Sequence, residues 1–92
     1  MYNPKLKEEC AVFGISNTPE ASTLTALGLH ALQHRGQDST GIVSYCKKQS
    51  NFFGHRGIGQ VSEVFGDSNI IKKLEGMSSI GHNRYGLSLI HI

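Results

Sequence analysis

Apolar and polar positions alternate along the chain in two distinct periods. Residues 11–15, AVFGI, form a short apolar run of the kind that fills a buried strand, and Ser16-Asn17 turns it. Thr18 can cap a helix, Pro19 suits the first helical position, and Glu20 favours the positive end of the helix dipole. Ala21, Leu24, Leu27, Ala31 and Leu32 then recur at helical spacing, which predicts a helix over 19–34 with those residues as its buried stripe. Gly36 is its expected stop, with His34 and Arg35 in the last turn. Thr40, Ile42, Val43 and Tyr45 predict a strand over 39–46, returned through a turn at 47–51 into a strand beginning Asn51-Phe52-Phe53. Gly54, Gly57 and Gly59 are expected to break the chain beyond Phe53. Val61, Val64 and Phe65 fit a short helical turn. Ser68 can cap a further helix with Ile70, Ile71 and Leu74 inward and Lys72 and Lys73 outward, ended by Gly76. Residues 77–85, MSSIGHNRY, read as a last strand. The order predicts an α+β arrangement, a helix packed on a mainly antiparallel sheet.

Length and composition narrow the class. The chain has 92 residues, enough for one domain or part of one, and its 38% hydrophobic and 17% charged residues with 11 glycines describe a turn-rich globular sequence. The net charge is +2, and basic residues are scattered from Lys5 to Arg84, which argues against a nucleic-acid surface. No apolar run reaches the roughly 20 residues of a membrane span, and no signal-peptide pattern opens the chain. The cysteines, Cys10 and Cys46, form no CxxC pair; a disulfide between them stays open though their spacing does not suggest it, and a reducing cytoplasm, the default setting, would leave both thiols free. Residues 1–9, MYNPKLKEE, read as a flexible leader.

Cys10 sits at the border between that polar leader and the first apolar run. A small buried hydrophobe is the commoner reading for a cysteine, and the place of Cys10 at this border brings in the alternative of a nucleophile. A cut before it would make it the first residue, giving the thiol a neighbouring α-amine of ordinary pKa about 7.7–8.0 as a base. Arg84, in GHNRY, offers a planar fork that matches a carboxylate, or serves as an ordinary surface ion-pair partner. Arg35, in QHRGQD, lies among hydrogen-bonding side chains denser than a helix end requires, as either a structural network or a site. His34, His55 and His82 are too dispersed to argue for a metal, and GHRGIG at 54–59 departs from phosphate-loop spacing.

Taken together and in order, CAVFGI, ALQHRGQDSTGI and IGHNRY resemble the glutaminase domain of the glutamine phosphoribosylpyrophosphate amidotransferases, as do GIGQVSEVF and KKLEG between them. The likeness covers about residues 9 to 85. Sister amidotransferases, of the glucosamine-phosphate synthase and glutamate synthase types, share the plan. In the first of these the second block usually carries tyrosine in place of Gln37 and the third tryptophan in place of Tyr85, so both positions favour the purine enzyme.

The resemblance implies an N-terminal-nucleophile (Ntn) hydrolase fold, an αββα sandwich of which residues 10–85 supply part. It assigns Cys10 as nucleophile and Arg84 as the grip on the α-carboxylate of glutamine. Arg35, Gly36, Gln37, Asp38, His82 and Tyr85 fall in its motifs as supporting residues. Residues 1–9 resemble a short propeptide removed to free the amine of Cys10. The implied reaction releases ammonia from glutamine through a cysteinyl thioester. That ammonia then forms phosphoribosylamine from phosphoribosyl pyrophosphate on a C-terminal domain, the first committed step of purine synthesis. Full-length members imply Mg2+ with phosphoribosyl pyrophosphate, a 4Fe-4S cluster in the propeptide-bearing branch, and a homo-oligomer. No metal or cofactor is expected within these residues, and neither nucleic acid nor membrane as partner. After Tyr85 the family continues with a Ser-Thr or Pro-Thr step. Residues 86–92, GLSLIHI, depart from that and are expected to be foreign to the family, with the chain inactive on its own. A non-catalytic module of the same fold is the alternative from another functional class.

Overall fold

The structure is a computed structural model that describes residues 10–33 and 37–85, with Cys10, Gln37 and Tyr85 described by their backbone alone. The expected leader at 1–9, the tail at 86–92, and the site candidates Arg35 and Gly36 lie outside the described residues.

The elements run β1 (Cys10–Ser16), α1 (Ala21–Leu32), β2 (Gln37–Cys46), β3 (Asn51–Ile58), α2 (Val61–Val64), α3 (Ser68–Lys73) and β4 (Ser78–Tyr85). The strands make one sheet in the order β1-β4-β2-β3, with every pair antiparallel. The last strand is therefore central, inserted between the first strand and the β2–β3 hairpin. The helix-on-antiparallel-sheet expectation holds. The turn after β1 is made at Asn17, whose φ of 65° is a left-handed conformation that asparagine tolerates.

One face of the sheet is covered. Leu29 and Ile42 pack there with Val61, Val64, Phe65 and Leu74, and Phe13 and Phe53 close the margin. α1 lies close to the strands because two glycines leave room. A Cβ on Gly28 would meet the Phe13 ring at 2.7 Å, and one on Gly81 would meet Leu29 Cδ1 at 2.6 Å.

The face that α1 buries differs from the expected leucine stripe. Ala21, Ser22, Thr25 and Leu29 are buried, whereas Leu24, Leu27, Ala31 and Leu32 are exposed. The reason is polar matching. Ser22 Oγ donates to Leu74 O at 2.6 Å, and the hydroxyls of Thr25 and Ser79 hydrogen-bond each other. Buried hydroxyls with partners cost little, and the small residues permit the close approach.

The helix also begins later and ends earlier than its pattern indicates. Thr18 N donates to Met77 O at 3.1 Å, which ties the Thr18-Pro19-Glu20 turn to the start of β4 before the helix opens at Ala21. Its C-cap is Gln33, in extended conformation, rather than a glycine. β3 runs through Gly54 and Gly57, which pair with Val43 and Thr40, because glycine keeps both ladder groups. Only Gly59, at φ 123°, ends it. The cap of α3 is Asp67, whose side chain accepts from Asn69 N at 2.9 Å, instead of Ser68.

Candidate active site

The second face of the sheet is uncovered, and its rows organise the candidate residues. Reading across β1, β4, β2 and β3, one row is Cys10, Arg84, Ser39 and Ile58. The next row inward is Val12, His82, Gly41 and Arg56, followed by Gly14, Ile80, Val43 and Gly54. Cross-strand partners share a face. Positions 10 and 84 are thus direct neighbours at the end of the uncovered face. Sequence alone could not supply this relation, because 73 residues separate the two positions and the pairing depends on β4 entering the sheet beside β1.

Asp38 lies beside this row on a β-bulge. The register with β4 shifts between Gln37, opposite Tyr85, and Ser39, opposite Arg84, which leaves Asp38 as the extra residue. Bulges of this kind re-aim a strand next to functional sites. The Asp38 carbonyl accepts from Gly59 N at 2.8 Å, and its Oδ1 is buried with no hydrogen-bond partner among the described residues. Gln33 docks the other side of the same corner. Its Oε1 accepts from Val61 N at 3.2 Å and its Nε2 lies 3.0 Å from His30 Nδ1.

His82 is one row inward from Arg84, and its Nε2 lies 2.9 Å from where a Cβ on Gly41 would stand. The imidazole therefore leans over the glycine toward Arg56. Around it the glycines leave a trough of about 580 Å3, lined by Val12, Val43, Ile80, Gly54, Arg56 and His82. The trough lies inward of the Cys10–Arg84 row and its lining is mostly apolar. Val12 is 68% and Ile80 55% exposed along it. Apolar surface of this extent reads as a seat for a covering layer rather than as a polar substrate pocket.

Asn83 and Thr40 have no place among the sequence-based candidates, yet both are fully buried beside Arg84. The signal was present in IGHNRY, where period-two alternation puts Asn83 on the same face as Ser79 and Gly81, an inward position for a polar side chain. The remaining thiol, Cys46, is buried and free at the far end of β2, opposite Asn51. It lies on the order of 20 Å along the strand from the Cys10 row, out of disulfide reach. No group of three or more histidine, cysteine or acidic side chains among the described residues could hold a metal ion.

Comparison with known proteins decides the family. The amidophosphoribosyltransferase of Rhizobium etli is 51% identical over 80 residues, covering 87% of this chain and 16% of that protein. The chain belongs to the amidophosphoribosyltransferase family. The enzyme of Lacticaseibacillus casei is 46% identical over 85 residues, covering 91% of this chain and 43% of that protein. Among solved structures, the allosteric regulatory enzyme of purine biosynthesis superposes with a TM-score of 0.72 at 43% identity, over 80% of this chain and 15% of that one. The glutamine phosphoribosylpyrophosphate amidotransferase of B. subtilis, complexed with ADP and GMP, gives 0.71 at 43% identity. No family model matches the chain. The chain spans about one-sixth of the length of the Rhizobium relative and of both solved structures. The antiparallel sheet with α1 on one face is one sheet and one helix layer of the Ntn sandwich that amidophosphoribosyltransferases adopt. No helix among the described residues is long and apolar enough to cross a membrane.

Proposed function

We propose that this segment carries the nucleophile and the carboxylate grip of a glutaminase site. The register pairing of Cys10 with Arg84 is the observation that supports the reading. Glutamine has two ends to hold, a side-chain amide to be attacked and an α-carboxylate to be fixed. Neighbouring positions on two strands bring a cysteine and an arginine to one substrate-sized patch. The guanidinium fork accepts a carboxylate with two parallel hydrogen bonds.

The chemistry rests on these groups. With residues 1–9 removed, the α-amine of Cys10 takes the thiol proton, directly or through a water. The thiolate sulfur attacks the side-chain amide carbon of glutamine and forms a tetrahedral intermediate. That intermediate collapses, the C–N bond breaks, and the amine returns its proton so that ammonia departs and a γ-glutamyl thioester remains. Water then adds to the thioester carbonyl, the amine accepting its proton, and glutamate leaves as the thiol is restored. Arg35, Gly36, Gln37, Asp38, His82 and Tyr85 are read as supporting residues from their motifs.

In the full length of the relatives, the ammonia would meet phosphoribosyl pyrophosphate with Mg2+ on a further domain of a cytoplasmic homo-oligomer. Neither Mg2+ nor an iron–sulfur cluster finds a donor set among the described residues, and no step above uses either. The test is Cys10→Ala in a polypeptide of the relatives' length. Loss of glutamine hydrolysis supports the reading. Retention of it makes the segment a non-catalytic module.

A further inference from the structure

We infer that Asn83 is a positioning residue for Arg84, through a buried clamp it forms with Thr40 and the end of α1. The inference rests on the glutaminase reading of Arg84 given above.

Asn83 is 1% exposed and sits in the covered face between Ala11 on β1 and Thr40 on β2. Its Nδ2 donates to Leu29 O at 2.8 Å, and its Oδ1 accepts from Thr40 Oγ1, also at 2.8 Å. Thr40 Oγ1 lies 3.1 Å from His82 O as well. Leu29 O is among the last four carbonyls of α1, which have no acceptor role left inside the helix. The amide therefore satisfies a helix end and a strand hydroxyl at once.

An apolar side chain would fill this position without desolvating an amide and a hydroxyl. The polar pair adds direction instead. A buried network with every member paired holds one geometry, because any displacement leaves a desolvated donor or acceptor. The clamp joins three segments around the site, while β1, which carries Cys10, pairs with β4 along its own ladder. β4 carries Arg84 at the next residue, β2 carries the Asp38 bulge, and α1 leads into Gln33 and residue 37. The clamp thus fixes the height of the Arg84 backbone against β2 and α1, while Arg84 itself belongs to the opposite face.

The test uses a polypeptide of the relatives' length that carries this segment and begins at Cys10. Two electrophiles report on Cys10. The diazoketone analogue of glutamine presents an α-carboxylate to Arg84, and iodoacetamide presents none. Thr40→Val and Asn83→Leu are expected to lower the ratio of diazoketone to iodoacetamide labelling rates about tenfold, and Thr40→Ser to keep it within about twofold. KM for glutamine rises in the first two variants more than kcat falls. A purely structural role would lower both labelling rates together. Unchanged ratios in folded Thr40→Val and Asn83→Leu, or an equal loss in Thr40→Ser, overturn the inference. If Asn83→Leu does not fold, the two Thr40 variants decide. Arg84→Ala separates the two levels. If it collapses the ratio while the clamp variants do not, the clamp alone is wrong. If it leaves the ratio at the parental value, the reading of Arg84 fails and the clamp with it.

Discussion

Cys10 and Arg84 are register partners across the β1–β4 pair, at one end of the sheet's uncovered face. This relation makes the role of Arg84 separable from its charge. Arg84→Lys keeps a cation and loses the planar fork, so KM for glutamine is expected to rise about tenfold or more with a smaller change in kcat. Steady-state kinetics in a polypeptide of the relatives' length check it. A lysine variant with parental KM would remove the bidentate grip from the account.

The seam between α1 and the sheet gives a second expectation. Thr25 and Ser79 are both buried and hydrogen-bond each other across that seam. Thr25→Val strands the Ser79 hydroxyl and is expected to cost about 1–3 kcal/mol. The double change Thr25→Val with Ser79→Ala removes both partners and should cost less than the sum of the single changes. Denaturant melts of the four proteins measure the coupling.

Close packing at Gly28 gives a third. A methyl there would overlap the Phe13 ring, so Gly28→Ala is expected to destabilise the chain by about 1–3 kcal/mol despite alanine's better helix propensity. The same melt reports it, and Phe13→Leu in the same chain should relieve part of the loss.

These seams show what the sequence could and could not convey. β1 was legible as an apolar run, β2 by Thr40, Ile42, Val43 and Tyr45, and β4 by MSSIGHNRY, whereas β3 was legible only at Asn51-Phe52-Phe53 because its glycines signal a break. The inward face of α1 was not legible. Leu24 and Leu27 outrank Ser22 and Thr25 in hydrophobicity, yet hydroxyl partners on β4 and before it turn the helix the other way. Cys10 and Arg84 were each marked by their motifs, but their adjacency depends on strand order, which no local pattern encodes. The bulge at Asp38 and the clamp at Asn83 are likewise properties of pairing between distant segments.

The uncovered face carries a fourth expectation. Val12, Val43, Ile80, Phe52 and Ile58 stand exposed, Ile58 at 90%. The 92-residue chain by itself is expected to bind a hydrophobic dye and to self-associate in sedimentation velocity. Val43→Lys with Ile80→Lys should suppress both while leaving the far-ultraviolet circular dichroism unchanged.

The pH dependence of glutamine hydrolysis tests the α-amine as base. A base acts only when unprotonated, so kcat/KM should fall about tenfold per pH unit below the ordinary α-amine range of about 7.7–8.0. A chain that keeps residues 1–9 has no amine on Cys10 and should show negligible hydrolysis at any pH. Equal activity with the leader in place would assign the base elsewhere.

The most direct measurement traps the covalent intermediate. A polypeptide of the relatives' length beginning at Cys10 is mixed with glutamine, quenched in acid during turnover, digested and mapped by mass. A γ-glutamyl adduct is expected on the peptide whose first residue is Cys10, with its yield at low glutamine reduced in Arg84→Ala. An adduct on another residue, or full hydrolysis from a Cys10→Ala chain, would contradict it.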